Sequence, residues 1–238
     1  MHLVIATMFV PWMLVLGATG LAIAGPYEDG LAAFNRADYP TARRLWEALA
    51  KQGNPSGQAW LGLLYARGDG VPQDVAEAVR LFRLAAAQGN PSGQCFLGFM
   101  HDDHGKGVPK SYAEAVKWYR LAADQGDAHC QWRLGSMYYD GRGVPQNYAT
   151  AVTWYRRAAA QGNASGQWLL GTMFEHGVGV PQNHVLAHMW YNLAGAATPS
   201  DIEAPPEFFA GYRDRIASKM TSSQIAEAQR LASEWKPK

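Results

Sequence analysis

The chain has 238 residues, 21 Lys and Arg against 20 Asp and Glu for a formal net charge of +1, and 48% hydrophobic residues. The charge balance excludes the basic excess with which nucleic-acid binders neutralise phosphates, so no nucleic-acid partner is expected. The apolar fraction excludes a disordered chain. Alanine and glycine are abundant and β-branched residues few beyond the N-terminus, which favours tightly packed helices over sheet.

Leu3 to Ala24 holds no charged side chain, and the stretch ends Ala22-Ile23-Ala24 before Gly25. Small residues at the last and third-last positions suit signal peptidase, so residues 1–24 read as a signal peptide cleaved after Ala24 and the protein as periplasmic or secreted. The rival reading is an uncleaved anchor, the one case in which a membrane contact is expected. Pro11, Gly17 and Gly20 count against it as a stable spanning helix.

Next come three combs in one register. Gln-Gly recurs at Gln52, Gln88, Gln125 and Gln161, Leu-Gly at Leu61, Leu97, Leu134 and Leu170, and Gly-Val-Pro at Pro72, Pro109, Pro145 and Pro181, each spaced by 36 or 37 residues. A period of this size denotes stacked supersecondary units. Each unit reads as two helices. Asn54, Asn90, Asp127 and Asn163 are N-caps of the first, and Asp74, Ser111, Asn147 and Asn183 of the second. Asp74 with Glu77 and Ser111 with Glu114 have the spacing of capping boxes. The second helix carries Ala78, Ala115, Ala151 and Ala187, followed by bulky pairs such as Trp154-Tyr155 and double alanines such as Ala158-Ala159. Small residues let helix axes approach while large ones fill the space between repeats. After the last unit, Ile216, Met220, Ile225 and Leu231 recur near helical spacing and are expected to cover the open end of the stack.

The pattern small-Gln-x-x-Leu-Gly-x-x-Tyr-x-x-Gly-x-Gly-Val, then Ala-x-x-Trp-Tyr-x-x-Ala-Ala-x-Gln-Gly, resembles the sel-one-like repeat, a relative of the tetratricopeptide repeat. The resemblance covers residues 54–196 as four units. Residues 27–53 resemble a short tetratricopeptide-like first repeat with Ala42 and Trp46 in register, and residues 205–235 resemble the capping helices of bacterial exported members. It implies an all-α, right-handed superhelical solenoid of helix–turn–helix repeats that works as a protein–protein scaffold in envelope or signalling assemblies.

Several clusters could carry chemistry. His101-Asp102-Asp103-His104 coincides with a one-residue insertion: Gly98 to Gly107 is nine residues, where Gly62 to Gly70 and Gly135 to Gly143 are eight. Imidazoles and carboxylates are metal-ligand types, but neighbours on one turn seldom converge, and the segment reads as a solvated loop. His184 and His188 share a helix face and read as packing. Cys95 and Cys130 occupy different repeat positions on helices expected about 8–10 Å apart, which points to two free thiols. A cysteine-rich branch of the resembled family pairs cysteines inside each repeat, an arrangement this chain lacks. Arg83, Arg120 and Arg156 form a ladder on the second helices and read as a solvated outer face.

At about 100° per residue, positions 59, 63 and 66 of the first full repeat point away from its own core. Their counterparts Phe99, Trp132, Ser136, Tyr139, Trp168 and Thr172 are the candidate lining of a concave partner-binding face, with packing between adjacent first helices as the competing reading. The expected function is a non-enzymatic, monomeric envelope scaffold that binds a protein or peptide without metal or cofactor. Its alternatives are a hydrolase or metal-dependent enzyme on the solenoid, or a cell-wall glycan binder with aromatic platforms.

Overall fold

A computed structural model describes residues 25–104, 107–196 and 206–237. The expected signal segment lies outside the described residues. All regular structure among the described residues is helical. In chain order the helices are α1 (Pro26–Asn35), α2 (Tyr39–Lys51), α3 (Pro55–Arg67), α4 (Val75–Ala87), α5 (Pro91–Phe99), α6 (Tyr112–Asp124), α7 (Ala128–Asp140), α8 (Tyr148–Ala160), α9 (Ala164–His176), α10 (His184–Gly195), α11 (Pro206–Ala217) and α12 (Ser222–Glu234). Consecutive helices from α1 to α11 pack on one another in sequence, so each antiparallel pair stacks on the next, as in a solenoid.

The caps form where the sequence puts them. The side chains of Asn54, Asn90, Asp127 and Asn163 accept from the backbone N–H three residues on, at 2.7–2.9 Å. Asp74, Ser111, Asn147 and Asn183 do the same for the second helices. The two expected capping boxes close only halfway: Glu77 and Glu114 give their backbone N–H to the cap, but their carboxylates turn to Arg80 and Lys117. The reason lies one helix earlier. The backbone N–H groups of Asp74 and Ser111, which a box would satisfy, already donate to the carbonyls of Tyr65 and His101 at 2.9 Å. Thr221 and Gln224, outside the repeats, do complete a box.

The Leu-Gly comb marks the closest approach in each repeat. A Cβ on Gly135 would lie 2.6 Å from Tyr155 Cε1, and the same row meets the rings of Phe82, Tyr119 and Tyr191. These four rings are fully buried. The shorter first unit keeps the contact, with Gly30 under the Trp46 indole. The alanine row Ala42, Ala78, Ala115, Ala151 and Ala187 is fully buried beside it. A polar rail accompanies this packing: Gln88, Gln125 and Gln161 donate to the buried carbonyl oxygens of Gln58, Gln94 and Gln131 at 2.8–2.9 Å. The arginine ladder is exposed but not simply solvated. The Arg120 guanidinium donates to the Tyr138 hydroxyl, and that of Arg156 lies 5.9 Å over the Phe174 ring, each reaching the next repeat's first helix.

The array ends on α11 and α12, both of which pack on α10. Phe209 and Ile216 of α11 are buried, as are Ala228 and Ala232 of α12, flanked by half-buried Ile225 and Leu231. Met220 packs against the core of the last repeat. His188 of α10 is 3% exposed. Burial, with the Arg213 charge added, holds its imidazole below the ordinary histidine range, against an opposite pull from Asp214.

Two variants probe this packing and burial. Gly135→Val should lower the denaturant-derived stability by about 2 kcal/mol, because a side chain there would meet the fully buried Tyr155 ring, 2.6 Å from the Cβ position. For His188 the folded chain holds the neutral ring while the unfolded chain protonates near pH 6.5. The unfolded state therefore binds more protons in the window below that value, and stability falls as pH drops through it. His188→Gln should flatten that part of the melting-temperature profile, measured against wild type from pH 7.5 to 5.

Candidate functional site

The first helices of the last two repeats and α11 enclose an open groove of about 480 Å³. From α7 come Trp132, Arg133, Ser136, Tyr139 and Asp140, from α9 Ser165, Trp168 and Leu169, and from α11 Phe208 and Phe209, with Asp102 and Arg142 at one end. Four of the six residues expected from the repeat phase, Trp132, Ser136, Tyr139 and Trp168, thus share one cleft. Phe99 and Thr172 do not line it. Phe99 is half-buried against the core around Cys95, with the Arg133 guanidinium 5.0 Å over its ring. The Thr172 hydroxyl donates to the Trp168 carbonyl at 3.1 Å and accepts from Tyr191 at 3.2 Å.

The two tryptophans both pack between helices and line the groove. Trp132 and Trp168 are half-buried, pack against the last repeat's core, and bury their indole N–H edges, while their remaining surface lines the groove. The Trp132 ring is flanked by the Arg133 guanidinium at 4.4 Å and by His129 edge-on at 5.3 Å. Trp168 is covered further, by Phe208, Phe209 and Tyr212 of the cap at 5.2–6.5 Å. Tyr139 is the open member, 37% exposed. The Ser136 hydroxyl is engaged with the Trp132 carbonyl and the Tyr155 hydroxyl, both at 3.2 Å.

The groove's charged end corrects the expectation for the inserted segment. Met100–His104 is a π-helical turn continuing α5, not a solvated loop. Wider i→i+5 winding absorbs one extra residue without breaking the helix. The register is whole again where the His101 carbonyl accepts from Ser111, as Tyr65, Tyr138 and Phe174 do in the other repeats. The His101 Nδ1 meets the Pro109 carbonyl at 3.0 Å. Asp102 is 4% exposed; its carboxylate accepts from the Tyr119 hydroxyl at 3.3 Å and pairs with Arg142 at 3.2 Å. Asp140 is the second partner of Arg142, at 2.9 Å. Burial pushes the Tyr119 and Tyr155 phenols well above the ordinary tyrosine range, so both remain hydroxyl donors.

Glu175, in the same repeat position as Asp102 and Tyr139, has the role of Asp102 at the array's end. It is 2% exposed and accepts from Tyr191 at 2.8 Å and Arg215 at 2.7 Å, with Lys219 at 3.5 Å. Burial works to raise its carboxyl, but the Tyr191 and Arg215 hydrogen bonds and the Arg215 charge outweigh burial and hold it below the usual range. Asp102 and Glu175 stand in the row of position 66, which the repeat phase turns away from the repeat's own core, yet both are buried against the Tyr119 and Tyr191 hydroxyls of their own repeats, so phase alone did not mark them. Arg142 lies in a turn whose residue varies from repeat to repeat, and nothing periodic marks it.

The cysteines also depart from expectation. Cys95 of α5 and Cys130 of α7 form a disulfide with Cα atoms 5.7 Å apart. The 8–10 Å spacing refers to helix axes, whereas Cα atoms ride on cylinders of about 2.3 Å radius, so facing Cα atoms come within disulfide reach. The Asp127 carboxylate lies beside them, capping α7 through the Cys130 N–H at 2.7 Å. Burial raises its carboxyl against the pull of the hydrogen bonds it accepts from the Cys130 and His129 backbone.

Comparison with known proteins places this geometry. Residues 18–54, 55–90, 91–127, 128–163 and 164–198 each match the Sel1 repeat. A Sel1 repeat protein from Oxalobacter formigenes is 27% identical, with 83% of this chain and 86% of that one covered at a TM-score of 0.59. A protective antigen of uropathogenic Escherichia coli with an SLR fold, c5321, is 25% identical over 87% of this chain and 53% of its own, TM-score 0.53. The chain thus spans about half the length of that antigen. A sel1 repeat protein from Klebsiella pneumoniae, 22% identical over 81% of this chain and 91% of that one at a TM-score of 0.54, shares the fold. No curated protein shows significant similarity to the chain.

Asp102→Ala should cost about 1–3 kcal/mol in urea unfolding, since it strands the buried Tyr119 hydroxyl and takes a partner from Arg142. Asp140→Ala, at the exposed side of the same arginine, should stay within about 0.5 kcal/mol of wild type.

Proposed function

We infer function from one premise: this chain belongs to the Sel1 repeat family, whose solenoids generally act as protein–protein interaction scaffolds. We propose that it is a non-enzymatic, monomeric adaptor that seats a protein or peptide segment in the groove between α7, α9 and α11. The observation that carries the reading is the convergence of Trp132 and Trp168, equivalent residues of successive repeats, on one cleft with Tyr139 open beside them. Aromatic groups held rigid by packing, with one face left to the surface, are the side chains that dominate interface energetics. The polar groups beneath them support binding over chemistry: Asp102, Ser136 and Tyr155 are all engaged in bonds that hold the helices in place.

We further propose that the chain acts in the periplasm or outside the cell, after cleavage behind Ala24. The charge-free segment before Gly25 supports this, and so does the Cys95–Cys130 disulfide, since such bonds persist in oxidising compartments.

A photoreactive residue at position 139, with a second variant carrying it at exposed Leu121 away from the groove, tests the binding face in the native host. Discrete adducts from 139 and none from 121 are expected; equal patterns from both would remove the groove assignment. N-terminal sequencing of the recovered protein should begin at Gly25, and an intact Met1 in the cytoplasmic fraction would overturn the export reading.

A further inference from the structure

One repeat departs from its siblings in three places and its neighbour in a fourth, and the departures gather in space. Where the other first helices are capped by Asn54, Asn90 and Asn163, the third full repeat has Asp127. Ser56, Ser92 and Ser165 are matched by His129, and Gly57, Gly93 and Gly166 by Cys130. Cys95, from the neighbouring repeat, stands in the row of Ala59, Trp132 and Trp168. All four replacements are metal-ligand types. The two Sγ atoms and a carboxylate oxygen of Asp127 lie within 4.8 Å of one another. Both cysteines are buried, Asp127 is half-buried, and His129 is exposed on the same turn.

The disulfide explains the cysteines but not the aspartate. Asn caps the equivalent helices with the same geometry, so capping does not call for a charge here. The glycine row that Cys130 joins is one where a Cβ on Gly93 or Gly166 would lie 2.6 Å from an alanine Cβ of the preceding helix, so a side chain enters at a position the other repeats keep empty. Two sulfurs and a half-buried carboxylate within 4.8 Å of one another are a ligand set for a thiophilic cation.

We propose that Cys95, Cys130 and Asp127 form a site for a thiophilic divalent cation of the zinc class when the cysteines are reduced, and that the disulfide is the oxidised form of this site. Zinc takes thiolate at about 2.3 Å and carboxylate at about 2.0–2.2 Å, so side-chain rotations about the three Cα positions bring the ligand atoms to bonding distance. Three protein ligands leave the fourth position of a tetrahedral site to solvent. In the redox step a dithiol donor supplies two electrons and two protons. The Cys95–Cys130 bond breaks, the donor becomes a disulfide, and two thiols form. Cation binding then releases one proton from each thiol to solvent as two metal–thiolate bonds form.

The test uses the full chain, reduced with a phosphine, desalted without air and titrated with Co2+ alone while helicity is followed by circular dichroism. One Co2+ should bind with a thiolate-to-cobalt charge-transfer band, bleached by one equivalent of Zn2+, and the oxidised chain should give no band. Cys95→Ala with Cys130→Gly, residues other repeats carry at these positions, should abolish it. Asp127→Asn keeps the cap the other repeats use and should weaken binding at least ten-fold. No band from the reduced chain, or Asp127→Asn titrating like wild type, overturns the site. If reduction lowers helicity, recovery on adding Co2+ supports the proposal and failure to recover overturns it.

Discussion

The array depends on one steric constraint: the first helix of each repeat has no side chain where the second helix lays its ring. Gly62, Gly98, Gly135 and Gly171 face Phe82, Tyr119, Tyr155 and Tyr191 at distances no Cβ would permit. A glycine inside a helix costs about 1 kcal/mol of propensity. Here that cost is offset by fully burying a large ring against bare backbone, a contact repeated in every unit. The short first unit keeps it with Gly30 and Trp46 although its turn is abbreviated, so this contact, more than the repeat length, defines the unit.

A buried tyrosine also brings a hydroxyl that must be satisfied. Phe82, the ring without one, is matched by Ala66 in the row where Asp102 and Glu175 occur. Tyr119 is answered by Asp102, Tyr155 by Ser136, and Tyr191 by Glu175 and Thr172. Each carboxylate answer creates a second demand, because a buried charge is costly unless paired. Arg142 and Arg215 meet it, each from the element next in the stack. Polar pairing thus ties one repeat to its neighbour at the sites where ring packing alone would be indifferent to the neighbour's identity, and it sets the floor on which the groove aromatics stand.

Legibility in the sequence came from repetition. The combs, the caps and the phase of Trp132, Ser136, Tyr139 and Trp168 were legible because four copies of the same environment average out local noise. Relations between unlike positions were not legible. The half-open capping boxes depend on a carbonyl from the preceding helix competing for the same N–H. The disulfide depends on how near Cα atoms come across the space between axes. The inserted residue at 101–104 was visible as a count, but not its accommodation, since a loop and a π-helical turn add the same one residue. Phase places Phe99 toward the groove, but its ring packs against the core around Cys95 with the Arg133 guanidinium over it.

The groove lies at this end of the stack for a reason visible in the row of position 59. In the early repeats that row holds Ala59 and Cys95, while the aromatics Trp60 and Phe96 stand one residue on and meet edge to face across α3 and α5 at 6.0 Å. In the later repeats the order is exchanged: Trp132 and Trp168 occupy the row, followed by Arg133 and Leu169. One residue is about 100° of helix, enough to carry an aromatic from the seam between helices to the face beyond it. The early rings therefore close on each other, and the later ones open a cleft. The cap accounts for the difference between the two tryptophans. α11 packs against α10 as a further first helix would, and its Phe208, Phe209 and Tyr212 cover Trp168. Trp132, one repeat inward, has Arg133 and His129 as its ring neighbours. The same residue in the same row is thus half-buried in both repeats, but covered by the cap's aromatic rings at the end of the array and by a guanidinium and an imidazole one step before it. A solenoid of near-identical units acquires one distinct cleft in this way, by shifting an aromatic one residue and stopping the stack soon after.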